Sequence, residues 1–183
     1  MGNGRTSRLS DVAEGVIRPL NQTELKAATA LLKDLVKQEP ALAEHLSVEG
    51  ALRSFVLSAF TLSPYLRDTA NLKPSLLLDA VSRPLEPQSL DAIEDARYTW
   101  RPDASGAVPG EAEVMARLRR AKRKVAFLTA LADLARVFTA RDTTGWLTSV
   151  ADAAVAAAID HLLLAGQDSG KLTLKNPDNP AEG

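Results

Sequence analysis

Apolar positions recur every three or four residues through most of this chain, and prolines interrupt the pattern at short intervals. The spacing predicts a helix over 23–40, TELKAATALLKDLVKQEP, with Leu25, Ala28, Leu32 and Leu35 on one face, Thr23 as its cap and Pro40 as its stop. Before it, residues 10–20 read as a shorter helix ending near Pro19. Residues 47–66 predict another, capped by Ser47, in which Val48, Leu52, Phe55, Ala59 and Leu62 form a stripe that Val56 and Phe60 widen. A stripe that wide calls for neighbours on more than one side. Pro64 fits the first position of a new short helix, because its missing N–H would go unbonded there in any case. Residues 74–84 and 87–100 repeat the device with Pro74 and Pro87.

The stretch RPDASGAVPG, 101–110, loses all periodicity and reads as an exposed loop and the best internal boundary. After it a long helix is expected from Glu111 to about Thr139, with Met115, Leu118, Ala121, Val125, Leu128, Ala132 and Ala135 as its apolar seam. A last helix should span about Thr144–Ala165. Trp146, Val150, Ala153, Ala157, His161 and Leu164 share one face, and Val155, Ile159, Leu162 and Leu163 lie elsewhere round it, which predicts deep burial. The end, GQDSGKLTLKNPDNPAEG, changes character: Gly166 stops the helix, KLTL reads as one short strand, and the rest is turn-forming. The chain therefore divides into an N-terminal helical region (1–100), a loop (101–110), two long helices (111–165) and an extended strap (166–183). The expected fold is all-α, about seven or eight helices in an irregular orthogonal bundle, because a strand-poor chain of 183 residues must pack helix on helix.

Composition sharpens this picture. Ala and Leu abound and aromatics make up only 4% of residues, which favours helices over strands. With 22 basic and 23 acidic residues the net charge is −1, so global affinity for nucleic acid is not implied. Cysteine is absent, which excludes disulfides and thiolate metal sites and fits a cytoplasmic setting. No apolar run reaches the roughly 18 residues of a membrane span.

Candidate chemistry is sparse. His45 and His161 lack partners at metal-ligand spacing, and they read as a surface and a core histidine. Glu94-Asp95 and Glu111/Glu113 do not converge on one ion, because helical neighbours point to different sides. No glycine-rich phosphate loop is present. The loud charge feature is the run Arg117, Arg119, Arg120, Lys122, Arg123 and Lys124. It reads either as a solvated face whose aliphatic stems cover apolar surface, or as a contact for an anion or an acidic partner. Nucleic acid fits less well, for want of interleaved aromatics. Asp133, set among Leu131, Ala132, Leu134 and Ala135, either lies on an open face or needs a partner on another helix or beyond residue 183; Arg67 and Asp68 are the local suggestion.

Four weak motifs occur together in order. They are SPYLRD at 63–68, the run MARLRRAKRKVAFLTALADLARVF from Met115 with its central Asp133, LTSVADAAVAAAIDHLL with Leu147, Thr148, Ala151 and Asp152, and GKLTLKNPDNPAEG. Residues from about 45 to 183 thus resemble the N-terminal, adenylyl-removing half of the bacterial glutamine synthetase adenylyltransferase / adenylyl-removing enzymes. The resemblance implies a helical layer that precedes a nucleotidyltransferase α/β core. It also implies addition or phosphorolytic removal of AMP on a tyrosine of glutamine synthetase, control by the PII signal protein, and magnesium with ATP or ADP in the complete enzyme. The Ser-Asp-x-Asp carboxylates of that core do not occur here, so the resemblance implies no catalytic residue within 1–183 and an apolar patch where the core docks. It leaves Arg119, Arg120, Lys122, Arg123 and Asp133 as contacts for an anion or a partner. The alternative from a different class is a non-catalytic helical binding or ligand-sensing module that uses the basic helix 117–124.

Overall fold

The computed structural model describes residues 8–13, 21–102, 104–135, 147–157 and 159. The expectations for Pro19, Trp146, His161, Leu162 to Leu164 and the strap 166–183 fall outside the described residues. Among those described there is no strand, and the architecture is all-α as expected.

Proline sets the rhythm of the first half. Its ring disfavours helical geometry in the residue before it, so a helix ends there and a new one can begin on the proline. The residues before Pro40, Pro64, Pro74 and Pro84 are Glu39, Ser63, Lys73 and Arg83. All four have φ between −129° and −144° with positive ψ, and all four close a helix. In this way α2 (Gln22–Gln38), α4 (Ala51–Leu62), α5 (Pro64–Leu72) and α6 (Pro74–Ser82) are cut to length, and α7 (Leu85–Arg97) begins after Pro84. Between α2 and α4 come a single 3₁₀ turn, Pro40–Leu42, and the short α3 (Ala43–Leu46); α1 is Leu9–Val12.

Several expected boundaries move. The cap of α2 is Asn21, not Thr23: the Thr23 N–H donates to Asn21 Oδ1 at 2.9 Å. Ser47 does not start α4. It closes α3, and α4 begins after Gly50, so Val48 stands outside the helix and is 80% exposed. The predicted helix over 10–20 breaks at Ala13, which is extended. Pro87 is the third residue of α7 rather than its first, still within the turn whose N–H groups have no helical partner.

The main core gathers around α4, where Phe55, Val56, Leu57, Ala59 and Phe60 are all buried, as the wide stripe requires. Leu32 and Leu35 of α2, Leu66 of α5, Leu77 and Val81 of α6, and Phe127, Leu128, Leu131 and Ala132 of the long helix α8 (Glu111–Leu134) complete it. A second, smaller cluster joins Ala92, Ile93 and Ala96 of α7 to Ala121 and Val125 of α8 and to Val150 and Ala153 of the helical residues 147–157 and 159, called α9 below. Gln88 ties α7 to the end of α6. Its buried amide donates to the carbonyls of Asp79, Arg83 and Pro84 at 2.9, 3.1 and 3.1 Å, bridging the last turn of α6 and the entry to α7.

Two predicted burials are corrected. Met115 is exposed, and its neighbour Val114 takes the buried position in α8. In α9, Val150, Ala153 and Ala157 are buried, but Val155 and Ile159 are 59% and 51% exposed. Among the described residues the helix is covered on one face, because α7 and α8 both lie on that side.

Candidate functional site

The basic run sits in the N-terminal half of α8, which starts after the extended Gly110 at the end of the 101–110 loop; Gly106, at φ +84°, provides the left-handed turn within that loop. Glu111 and Glu113 occupy the first turn, where carboxylates complement the exposed N–H groups. The helix then has to serve two surfaces at once. Leu118, Ala121 and Val125 face α7 and α9, and the cations take what remains.

The cations divide by partner. Arg117 folds back onto Glu113 through Nε at 3.1 Å and through Nη2, while Nη1 donates to the Thr99 carbonyl at 3.2 Å just past the end of α7. Lys124 Nζ lies 3.5 Å from Asp79 Oδ2 of α6. Arg119, Arg120, Lys122 and Arg123 form no ion pair among the described residues. The first three of these are exposed and Arg123 is half-buried.

Asp133 is exposed at the far end of the same helix, so the open-face reading of this carboxylate holds and it needs no buried partner. Arg67 is paired at 3.0 Å with its own neighbour Asp68, and does not reach Asp133. His45 is half-buried in α3.

A groove of about 440 Å³ runs between α7 and α8. Its walls carry Glu94, Asp95, Tyr98 and Thr99 on one side and Arg117, Arg120 and Lys124 on the other. Sequence spacing treats Glu94 and Asp95 only as adjacent residues on divergent sides; their common border on this groove appears once α8 is laid against α7. The Arg101 guanidinium stacks on the Tyr98 ring at 3.4 Å from its centroid at the groove's end. Acids facing cations across a cleft neutralise each other in part, which leaves it a weaker anion trap than the outer face of α8. Tyr65 of α5 lies near Arg123. Partial burial raises its phenol above the usual tyrosine range, while a hydrogen bond with Thr69 and the Arg123 charge pull it back down.

The described residues do not fit a magnesium ion. No group of three or more His, Asp or Glu side chains converges among them, and the Glu94–Asp95 edge faces guanidinium groups across the groove. Among the described residues no helix is long and apolar enough to cross a membrane.

Residues 54–181 match the family described as glutamate-ammonia ligase adenylyltransferase. Among curated proteins, the chain is 58% identical over 176 residues to a bifunctional glutamine synthetase adenylyltransferase/adenylyl-removing enzyme of Agrobacterium fabrum, covering 96% of this chain and 18% of the relative. It is 49% identical to the protein of that name from Rhizobium meliloti, covering 94% of this chain and 18% of the relative. With the Bartonella quintana protein of that name the identity is 35%, over 81% of this chain and 15% of the relative. The chain thus spans less than a fifth of the length of these relatives. No solved structure matches it. With most of its length inside the family match and its helices in the order the motifs predict, the chain belongs to the glutamate-ammonia ligase adenylyltransferase family.

Proposed function

We propose that this chain is the helical portion of an enzyme that adds AMP to a tyrosine of glutamine synthetase, or removes it by phosphorolysis, and so regulates nitrogen assimilation. The observation that carries this is the 58% identity over 96% of the chain to a relative named for both activities. Magnesium and ATP or ADP belong, in this reading, to parts of the enzyme other than the helices described here, whose carboxylates do not converge in groups of three or more. The partners are glutamine synthetase and, for control, the PII signal protein, in the cytoplasm. The helical portion itself contributes binding surface rather than chemistry. Four cations that form no ion pair among the described residues favour that division of labour, and the same four are what a stand-alone binding module would use.

The experiment uses the complete protein that contains this chain. Incubated with adenylylated glutamine synthetase and inorganic phosphate, it should release ADP as phosphate takes the AMP from the tyrosine oxygen; with unmodified glutamine synthetase and ATP it should attach AMP. Residues 1–183 alone should do neither. A complete protein that leaves glutamine synthetase unchanged in both directions overturns the proposal.

A further inference from the structure

Arg117 and Lys124 spend their charge inside the molecule, on Glu113 and Asp79. Arg119, Arg120, Lys122 and Arg123 form no ion pair among the described residues, although Arg120 also borders the groove opposite Glu94 and Asp95 and half-buried Arg123 lies near Tyr65, and the geometry of α8 puts the four together. At about 100° per residue these four span roughly 160° of the circumference. That arc lies opposite the buried seam of Ala121, Val125, Leu128 and Ala132. The rest of the outward surface is low relief, with Ala112, Ala116 and Ala126 between the charges and Met115 as its large apolar side chain. Glu111 and Asp133 stand at its two ends, on the order of 33 Å apart at about 1.5 Å per residue.

We propose that this face of α8 docks an acidic surface of a separate protein in a reversible, salt-sensitive encounter. Permanent interfaces have apolar centres depleted of charge, whereas this face carries four cations and Met115 as its one large exposed apolar side chain among the described residues. Exposed cations without internal partners accelerate and orient transient encounters. A nucleic-acid backbone presents phosphate along its whole length and would meet the carboxylates at both ends of the face; a protein surface can place its acids over the centre alone. Only the identity of the partner rests on the functional reading above, which makes it glutamine synthetase.

The test compares three versions of the complete protein for binding to adenylylated glutamine synthetase, each checked for folding by thermal melting. Arg119→Glu/Arg120→Glu/Arg123→Glu should weaken the Kd at least about tenfold, and the salt dependence of the native Kd between about 50 and about 300 mM should largely vanish with it. The control Lys26→Glu/Lys33→Glu/Lys37→Glu, on the exposed side of α2, makes the same change in net charge and should move the Kd by less than about twofold. Arg119→Lys/Arg120→Lys/Arg123→Lys should retain most of the affinity, because steering needs charge rather than the guanidinium fork.

An unchanged Kd in the folded charge-reversed variant overturns the docking proposal, as does a control that weakens binding equally. A fall in melting temperature without a change in Kd overturns it in favour of a contact within the same polypeptide. Tighter binding of a short DNA duplex than of glutamine synthetase at about 150 mM salt overturns it in favour of nucleic acid. Binding to glutamine synthetase without AMP transfer in the native protein defeats the functional reading alone, and the charge-reversed variant then still decides the docking; no binding by the native protein overturns both.

Discussion

The two hydrophobic clusters that share α8 are made of different side chains. Around its C-terminal half the core is large: Phe55, Phe60 and Phe127 with leucines from six other α-helices. Around its N-terminal half the contact with α7 and α9 is made by Ala92, Ala96, Ala121 and Ala153, with only Ile93, Val125 and Val150 larger among the buried residues. The first cluster gains stability from the volume it buries. The second gains it from close approach of helix backbones, which small side chains permit, and it buries much less apolar area per residue. The difference also explains where the charges sit. A narrow alanine seam occupies little of the circumference of α8 and leaves room for cations, whereas the Phe127–Ala132 turns are surrounded and carry none.

This contrast is broken most directly at Phe127, which is fully buried. Phe127→Ala should cost about 3–5 kcal/mol, the loss of transfer energy plus the cavity left among side chains that cannot all collapse into it. Urea unfolding of the chain followed by circular dichroism would show this as a drop in midpoint at constant slope. A cost below about 1 kcal/mol would mean that the large cluster is loosely packed and the contrast false.

The seam should fail in the opposite way. Ala121→Leu adds volume where α7 and α8 touch, and should cost about 1–3 kcal/mol by forcing the helices apart. The same variant should shorten protection of the α7 amides in hydrogen exchange while leaving those of α4 unaffected. A neutral or stabilising Ala121→Leu would show a void at the seam rather than a close contact.

The elements were readable from sequence for the reason that proline gives. Glu39, Ser63, Lys73 and Arg83 each precede a proline, each leaves the helical region, and that is a local steric rule needing no knowledge of neighbours. Caps were less readable because two adjacent residues can offer the same chemistry: Asn21 and Thr23 are both good caps, and only the path of the preceding chain selects one. Burial was misread where composition stands in for context. Val155 and Ile159 are as apolar as Val150, but α7 and α8 lie on the side of Val150 alone. In the candidate site, the run of cations was plain to see. Which of them stay unpaired was not, since the partner of Lys124 is Asp79, two helices earlier, and one ligand of Arg117 is a backbone carbonyl at Thr99.

Arg123 stands where the two halves of α8 meet, and its position has a measurable consequence at Tyr65. Burial raises the Tyr65 phenol above the usual tyrosine value because the phenolate would be poorly solvated, and the positive charge of Arg123 opposes that rise. The folded state therefore holds the phenol proton more tightly than the unfolded chain does. That contribution is fully present below about pH 10 and is lost as pH climbs through the raised folded value. Tyr65→Phe should accordingly flatten the alkaline fall in stability. Arg123→Gln should move the Tyr65 titration further upward, read from phenolate absorbance in a Tyr98→Phe background that leaves one tyrosine to observe. The effect is small, since Tyr65 is 44% exposed and solvent screens the pair. A titration that stays put or shifts downward would place the Arg123 guanidinium away from α5. It would then belong wholly to the outer cationic face of α8, with no share in the α5 contact.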